Sequence, residues 1–183
     1  GDEIVAHMRE QIRVPPSEEV EILNRKKPKP SDKQFFMLPD IAPMPSVGEG
    51  FNVATTGSTH DETGRRFTAD PVVHRRLVET LVGKIRNNAD EMVDYEAHNL
   101  DNCDAGVVSF GCTSRAVYET VELAKEKGVK VGFVRLKTVW PFPEKVVREL
   151  GERCKAVVVP EMNLKELFYE VERAVHGATT VVG

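Results

Sequence analysis

The sequence predicts an α/β fold in which a parallel β-sheet carries helices on both faces. In the C-terminal half, short strand-like runs alternate with amphipathic stretches of roughly 10 to 15 residues, the order typical of β-α-β units. Two of these runs, GVVSF at 106–110 and AVVV at 156–159, are almost continuously apolar, as expected for strands covered on both sides. Gly128 and Pro143 stand where one predicted helix ends and the next begins. We therefore expect a three-layer, Rossmann-like domain.

The first 50 residues lack this pattern. Ile4, Val5, Met8 and Ile12 recur at helical spacing, which predicts a short amphipathic helix over residues 2–13. Residues 15–50 hold seven of the eleven prolines and no sustained period. A stretch of this length without elements is uncommon inside a compact domain, so we expect an extended Pro-rich arm or linker that lies on another surface. The predicted organisation is this helix and arm at 1–50, followed by an α/β domain at 51–183.

The α/β region begins with FNVATTGSTHDETGRRFT at 51–68, which we interpret as two short β segments around a polar turn. A helix should follow, because Asp70 can cap its N-terminus and Pro71 suits its first position. Its apolar face is formed by Val73, Leu77, Leu81 and Ile85.

The remaining elements alternate regularly. In order, we expect a strand at 106–110, a helix at 114–127, a strand at 129–137, a helix at 143–154, a strand at 155–161, a helix at 164–176 and a strand at 179–182. Thr113 or Ser114 should cap the helix at 114–127. Asn163, with Glu166 three residues later, resembles a capping box for the last helix.

Charge and cysteine content exclude several classes of protein. A net charge of −4 argues against binding to nucleic acid or to an anionic membrane surface. No apolar run approaches the roughly 20 residues that span a bilayer. The three cysteines are widely spaced and form no C-x-x-C pair, so neither a disulfide framework nor a zinc or iron–sulfur site is indicated. The expected setting is the cytoplasm, with reduced thiols.

Ligands of open parallel sheets bind at the carboxyl ends of the strands, where the loops 111–115, 138–143 and 160–163 fall. In the first loop Gly111 permits a tight turn, the N–H groups of the following helix favour an anion, and Arg115 adds charge. Neither G-x-x-x-x-G-K-[ST] nor G-x-G-x-x-G is present. A plain helix start is therefore favoured over an anion or partner-contact site.

Three further features each leave two interpretations. Cys112 could be a nucleophile, but no histidine lies near it in sequence, so a small packed side chain is favoured. A hydrogen-bonded turn is favoured over a metal site for His60, Asp61 and their polar neighbours. Trp140 is either a core residue or an exposed aromatic anchor for a partner.

Several ordered segments together resemble the α subunits of 2-oxoacid:ferredoxin oxidoreductases, the 2-oxoglutarate type most closely. These segments are NVATTGSTHDETGR, TADPVVHRRLVETLVGKI, VVSFGCTSRAVYETVELAKEKGVKVGFVRLKTVWPFPEKVVREL and KAVVVPEMNLKELFYEVERAV. IVAHMREQIRVP and EILNRKKP extend the resemblance over almost the whole chain. The strand-rich half is similar to the transketolase C-terminal-like domain of that family.

The resemblance implies an enzyme that decarboxylates a 2-oxoacid with thiamine diphosphate, passes electrons through iron–sulfur clusters to ferredoxin and transfers the acyl group to coenzyme A. The family's Y-P-I-T-P motif and its pyrimidine-activating Glu belong to a preceding domain, and neither occurs in this sequence. We therefore expect a truncated or split subunit that is inactive alone. Thiamine diphosphate, Mg and an iron–sulfur cluster would belong to the parent complex.

The partners implied are the β subunit and the remainder of the α subunit, with ferredoxin and coenzyme A reached through the complex. A second copy of the chain, forming a homodimer, is a further candidate partner. No catalytic residue is assigned. Candidate contacts to a ligand or partner are Gly111, Thr113, Ser114, Arg115, His60 and Asp61. The alternatives are a pyruvate or branched-chain 2-oxoacid enzyme, a free-standing anion- or nucleotide-binding module, and a self-sufficient cysteine or metal enzyme.

Overall fold

A computed structural model describes residues 14, 16–19, 26–38 and 42–183. The chain forms two compact units, Gly1–Asn88 and Ala89–Gly183. The predicted boundary at residue 50 lies within the first unit, and it stays a prediction about domain organisation. The helix predicted over 2–13 falls outside the described residues. Among the helices that are described, none has the length and apolar character needed to cross a membrane.

The first unit is built around helix α1 (Pro71–Arg86), which confirms the predicted start signal. The Asp70 carboxylate accepts hydrogen bonds from the backbone N–H groups of Val72 and Val73, at 2.8 and 3.1 Å. In the described parts of the Pro-rich segment, the only regular element is a single 3-10 turn at Ser17–Glu19. Phe35 in that segment is nevertheless buried and meets the Phe51 ring edge-on. The extended arm is therefore not confirmed.

The prediction of two β segments at 51–68 is wrong. These residues form loops that meet in one antiparallel bridge, between His60 and Arg66. The Asp61 carboxylate accepts hydrogen bonds from the Thr63 N–H, the Thr63 hydroxyl and the Arg65 N–H, at 2.7 to 3.0 Å. These local bonds compete with extended pairing, because they fold the backbone into a compact turn.

The second unit contains the sheet and four helices. Its elements are α2 (Ala89–Met92), β1 (Tyr95–His98), β2 (Ala105–Phe110), α3 (Thr113–Glu126), β3 (Val131–Leu136), α4 (Glu144–Arg153), β4 (Ala156–Val158), α5 (Glu166–Val175) and β5 (Thr180–Val182). The seven predicted elements from residue 106 onward are confirmed, with shifted ends. The strand predicted at 155–161 is the most shortened of them.

The five strands lie in the order β1-β3-β2-β4-β5. The pairs β2–β3, β2–β4 and β4–β5 are parallel, as predicted. Strand β1 was not predicted, and it pairs antiparallel with β3 from Tyr95–Leu136 to His98–Phe133. The sheet is thus mostly parallel, with an antiparallel edge strand.

Helices cover the two faces of the sheet unequally. Helix α3 packs on β2 and β3, where Val117 and Val121 join Val107 and Phe133 in one apolar cluster. Helices α4 and α5 pack together on the opposite face in a larger cluster. Leu150 is a fully buried member of that cluster, and its side chain fills the space above Gly106 and Gly132. A Cβ at either glycine would lie 2.8–2.9 Å from a Leu150 side-chain carbon.

A disulfide joins Cys103 and Cys154, with their Cα atoms 5.1 Å apart. The expectation of three reduced thiols is therefore wrong for this pair. Cys103 lies just before β2 and Cys154 just after α4, and the fold brings these two ends together although 51 residues separate them. Spacing alone could not show the pairing, because it depends on where α4 packs. Cys112 is the free cysteine.

Candidate functional site

The strand order of the sheet reverses between β2 and β4, whose carboxyl ends lie side by side. The connection β2-α3-β3 runs to one side of β2, whereas β3-α4-β4 returns past β2 to its other side. The loops after β2 and β4 therefore diverge, and such a divergence leaves the crevice in which open α/β sheets bind ligands. Across it, the Cys112 sulfur lies 3.9 Å from the Met162 sulfur. The structure thus brings together two of the three predicted loops.

The 111–115 loop differs from the predicted cap. Gly111 has a φ of +61°, as its predicted tight turn requires. Cys112 occupies the N-cap position of α3 and makes no capping hydrogen bond through its side chain. Thr113 is the first helical residue, and Arg115 lies exposed on the first turn. Neither Thr113 nor Ser114 caps the helix, so that expectation is wrong.

Ser114 turns inward instead. It is fully buried, and its hydroxyl lies 2.9 Å from the equally buried hydroxyl of Ser109 on β2. Two hydroxyl groups that satisfy each other remove the cost of burying either alone. The pair fixes the start of α3 against β2, and it withdraws Ser114 from the solvent side of the loop.

At the N-terminus of α5, on the other side of the crevice, side chains of the same chain already accept hydrogen bonds from the backbone N–H groups. The two Glu161 carboxylate oxygens accept hydrogen bonds from the N–H groups of Leu167 and Phe168, at 2.9 and 3.0 Å. Asn163 accepts from the Glu166 N–H at 2.9 Å, the hydrogen bond that the predicted capping box requires. Its predicted place at the start of the helix is wrong, because α5 begins at Glu166 and Lys165, with a φ of +68°, occupies the N-cap position. A carboxylate already occupies this end of α5, so it offers no open place for another anion.

A charged row crosses the sheet beneath α3. Glu96 on β1, Arg135 on β3 and Ser109 on β2 are register partners. The Tyr118 hydroxyl on α3 donates to the Glu96 carboxylate, which Arg135 and Lys137 also approach at 3.3 and 3.4 Å. The Tyr118 hydrogen bond first, and then these two cations, lower the pKa of Glu96 to about 2. The row ties β1 and α3 to the centre of the sheet.

Lowering the pH should reduce the stability of the second unit, because it protonates Glu96. Its folded pKa is below the ordinary value of 4.5, so its contribution to stability is full above that value and is lost as the pH falls towards 2. We expect Glu96→Gln to flatten the dependence of the unfolding midpoint on pH between about 5 and 2, measured by urea denaturation. Glu122→Gln, on the exposed face of α3, is the matched control. An unchanged acid dependence in Glu96→Gln would contradict the arrangement.

His60 and Asp61 lie in the first unit, in the turn described above. The His60 Nδ1 atom is 2.9 Å from the Ser58 carbonyl oxygen, and the ring packs edge-on against Phe36. The hydrogen bond from the Thr63 hydroxyl is the largest cause that lowers the pKa of Asp61. The favoured interpretation, a hydrogen-bonded turn, is therefore confirmed as the local structure.

The carboxyl-end loops also carry exposed apolar side chains. Trp140 is 53% exposed, which decides against a core position, and Met162 and Leu164 are 61% and 94% exposed. On the sheet itself Val158 and Val182, which are register partners on β4 and β5, are 38% and 50% exposed. Adjacent exposed apolar side chains, such as the Val158 and Val182 pair, are typical of surfaces that contact other proteins.

The donor atoms in the described part of the chain do not fit a metal centre. Over the described ranges no group of three or more His, Cys, Asp and Glu side chains is placed to hold a metal ion. An iron–sulfur cluster is commonly held by four cysteine thiolates, whereas Cys103 and Cys154 are bonded to each other and Cys112 is single.

Comparison with known proteins identifies the fold. Residues 103–183 match the family described as pyruvate:ferredoxin oxidoreductase core domain II. The chain is 45% identical over 184 residues to the 2-oxoglutarate synthase subunit KorA of Methanocaldococcus jannaschii, and 41% identical over 185 residues to that of Methanothermobacter marburgensis. These alignments cover 100% and 99% of this chain and 49% of each relative. The chain therefore spans about half the length of these relatives.

A solved structure also matches the fold of this chain. The 2-oxoglutarate:ferredoxin oxidoreductase of Magnetococcus marinus, with 2-oxoglutarate, coenzyme A and succinyl-CoA bound, matches with a TM-score of 0.70 at 25% identity. The match covers 94% of this chain and 32% of that one. By its sequence and its fold, the chain belongs to the family of 2-oxoacid:ferredoxin oxidoreductases, in which it is similar to about half of an α subunit, and residues 103–183 match core domain II.

Proposed function

We propose that this chain is the structural and subunit-contact part of a 2-oxoglutarate:ferredoxin oxidoreductase α subunit. The observation that carries the proposal is identity of 41–45% to 2-oxoglutarate synthase subunits along essentially the whole chain. The enzyme would act in the cytoplasm. It would decarboxylate 2-oxoglutarate oxidatively with thiamine diphosphate, form the acyl-coenzyme A product and reduce ferredoxin. A pyruvate or branched-chain 2-oxoacid enzyme is the alternative that the substrate assay decides.

The exposed surfaces support a contact role. Val158 and Val182 project from the face of β4 and β5 opposite to the one that packs with α4 and α5, beside the part of the sheet that α3 covers. In the enzyme, this face would pack against the β subunit or the remainder of the α subunit. The thiamine diphosphate, Mg and iron–sulfur cluster would be held by those parts, since the described donor atoms of this chain fit no metal centre.

The isolated chain is expected to show no turnover. The assay contains 2-oxoglutarate, coenzyme A, thiamine diphosphate, Mg and a viologen acceptor, with pyruvate and a branched-chain 2-oxoacid as comparison substrates. Adding the remainder of the α subunit and the β subunit should restore viologen reduction with 2-oxoglutarate. Turnover by the chain alone would contradict the contact role, and a preference for another 2-oxoacid would contradict the proposed substrate.

Reconstitution also tests the candidate contact residues. Gly111, Thr113 and Arg115 border the crevice, and we propose that this loop contacts a ligand or partner held mainly by other parts of the enzyme, with Ser114 supporting the loop from below. The His60 and Asp61 turn, which belongs to the first unit, is proposed as a separate candidate contact. Arg115→Ala should then change the KM for coenzyme A or 2-oxoglutarate, or the yield of complex, relative to Arg148→Ala on exposed α4 surface. No change in any of these would contradict a contact at the loop.

A further inference from the structure

The disulfide lies at the joint between the segment before β2 and the segment after α4, where other contacts also hold these two segments together. On one side of the Cys103–Cys154 bond, Arg153 pairs with Asp101 at 2.9 Å. On the other side, Lys155 pairs with the Asp104 carboxylate at 3.1 Å, and its backbone N–H donates to the Asp104 carbonyl at 3.2 Å. The segment before β2 and the segment after α4 are therefore joined at three successive positions. Two of these joints do not depend on the redox state of the sulfur atoms.

The two sulfur atoms are also shielded. Cys103 and Cys154 are 5% and 7% exposed and belong to the apolar cluster beneath α4. Cys112, the remaining thiol, follows the carboxyl end of β2, whereas Cys103 precedes its amino end. A six-residue strand separates these ends by about 20 Å. Cys112 is therefore too distant to exchange with the disulfide within the folded unit.

We propose that Cys103 and Cys154 form a redox-dependent lock, and that the chain has two folded forms. In the reduced form, the flanking ion pairs and the backbone hydrogen bond keep the two thiols adjacent. In the oxidised form, the bond fastens the end of α4 to the start of β2. It closes a loop that contains β2, α3, β3 and α4, and so restricts the unfolded chain as well.

Oxidation follows ordinary thiol–disulfide exchange with a small-molecule disulfide such as oxidised glutathione. One cysteine thiolate, after losing its proton, attacks the small disulfide and releases one small thiolate. The second cysteine thiolate then displaces the other from the mixed disulfide. The two cysteines lose two electrons and two protons in total, and the small disulfide becomes two thiols. Because the native sulfurs are buried, exchange should require opening of the joint, and it should be slow in the folded chain.

The test compares the full chain refolded in dithiothreitol with the chain refolded in oxidised glutathione. After removal of the refolding agent and denaturation, a maleimide should label three cysteines in the first sample and at most Cys112 in the second, where a Cys112 thiol that has exchanged with glutathione is recognised by the mass of the mixed disulfide. Circular dichroism should show both samples folded. The oxidised form should have a Tm higher by about 10 °C, the effect of a disulfide worth a few kcal/mol in a domain of this size.

Matched variants separate the lock from general effects of cysteine loss. The double variant Cys103→Ala and Cys154→Ala should show one Tm in both conditions, whereas Cys112→Ala should keep the difference. Three labelled cysteines in the oxidised sample would overturn the proposal, and so would equal Tm values in the two samples. An unfolded reduced sample would overturn the claim of two folded forms.

Discussion

Replacing Leu150 by alanine should lower the free energy of unfolding by about 4 kcal/mol, towards the upper end of the range for buried leucines. The side chain is fully buried where α4 meets the sheet. Its γ and δ carbons fill the space above Gly106 and Gly132, two strand positions without side chains. Because those glycines have no side chain that could move into the cavity, the cavity would remain largely empty. Urea unfolding followed by circular dichroism measures the loss.

Two comparisons make this test specific. Leu123→Ala, on the half-exposed side of α3, should change stability by less than about 1 kcal/mol. Gly106→Ala should destabilise the chain that retains Leu150, because the new Cβ would lie 2.8 Å from the Leu150 Cγ. In the Leu150→Ala background the same change should recover part of the loss, because it fills the cavity. Additive effects of the two changes would contradict this packing.

Local sequence patterns predicted most of the strands and helices, because an apolar run or a helix cap involves residues that are close together in the sequence. Strand β2 and helix α1 illustrate this, the first by an almost continuous apolar run and the second by Asp70 and Pro71. Strand β1, Tyr95–His98, carries no such signal, since it is short, mostly exposed and lies at an edge. Its conformation depends on pairing with β3, whose residues lie between 35 positions (His98–Phe133) and 41 positions (Tyr95–Leu136) later in the chain.

The sequence predicted which loops border the candidate site, but it did not predict most of the hydrogen bonds that these loops make. The rule that ligands meet parallel sheets at the carboxyl ends of strands selected the loops after β2, β3 and β4. Two of these, the loops after β2 and β4, border the crevice. The order of the strands was needed to show that these two loops face one another. The Glu161 cap was missed because its carboxylate reaches six residues forward to Leu167, outside the usual capping-box spacing. The Ser109–Ser114 pair was missed because Ser114 has the sequence position of a cap.

Val158→Asp should prevent assembly of the oxidoreductase while leaving the isolated chain folded. Val158 is 38% exposed and stands beside Val182 on the same face of the sheet. In the isolated chain an aspartate there remains in water, so its effect on unfolding should stay within about 1 kcal/mol, the range of strand preferences. In the complex, the same carboxylate would be buried against an apolar partner without a counter-charge. That burial costs several kcal/mol, and we expect at least about a tenfold loss of complex.

The measurement is the fraction of chain that co-elutes with the remaining subunits on size exclusion, together with viologen reduction by that fraction. Val129→Asp provides the control, because Val129 is 41% exposed but precedes β3, which lies two strands away from β4 in the sheet. It carries the same change of charge and should leave assembly intact. Val158→Thr, which keeps the branched shape without a charge, should assemble at a reduced level. If Val158→Asp assembles as well as Val129→Asp, the exposed face of β4 and β5 is solvent-facing in the enzyme, and the contacts that hold this chain lie at the carboxyl-end loops instead.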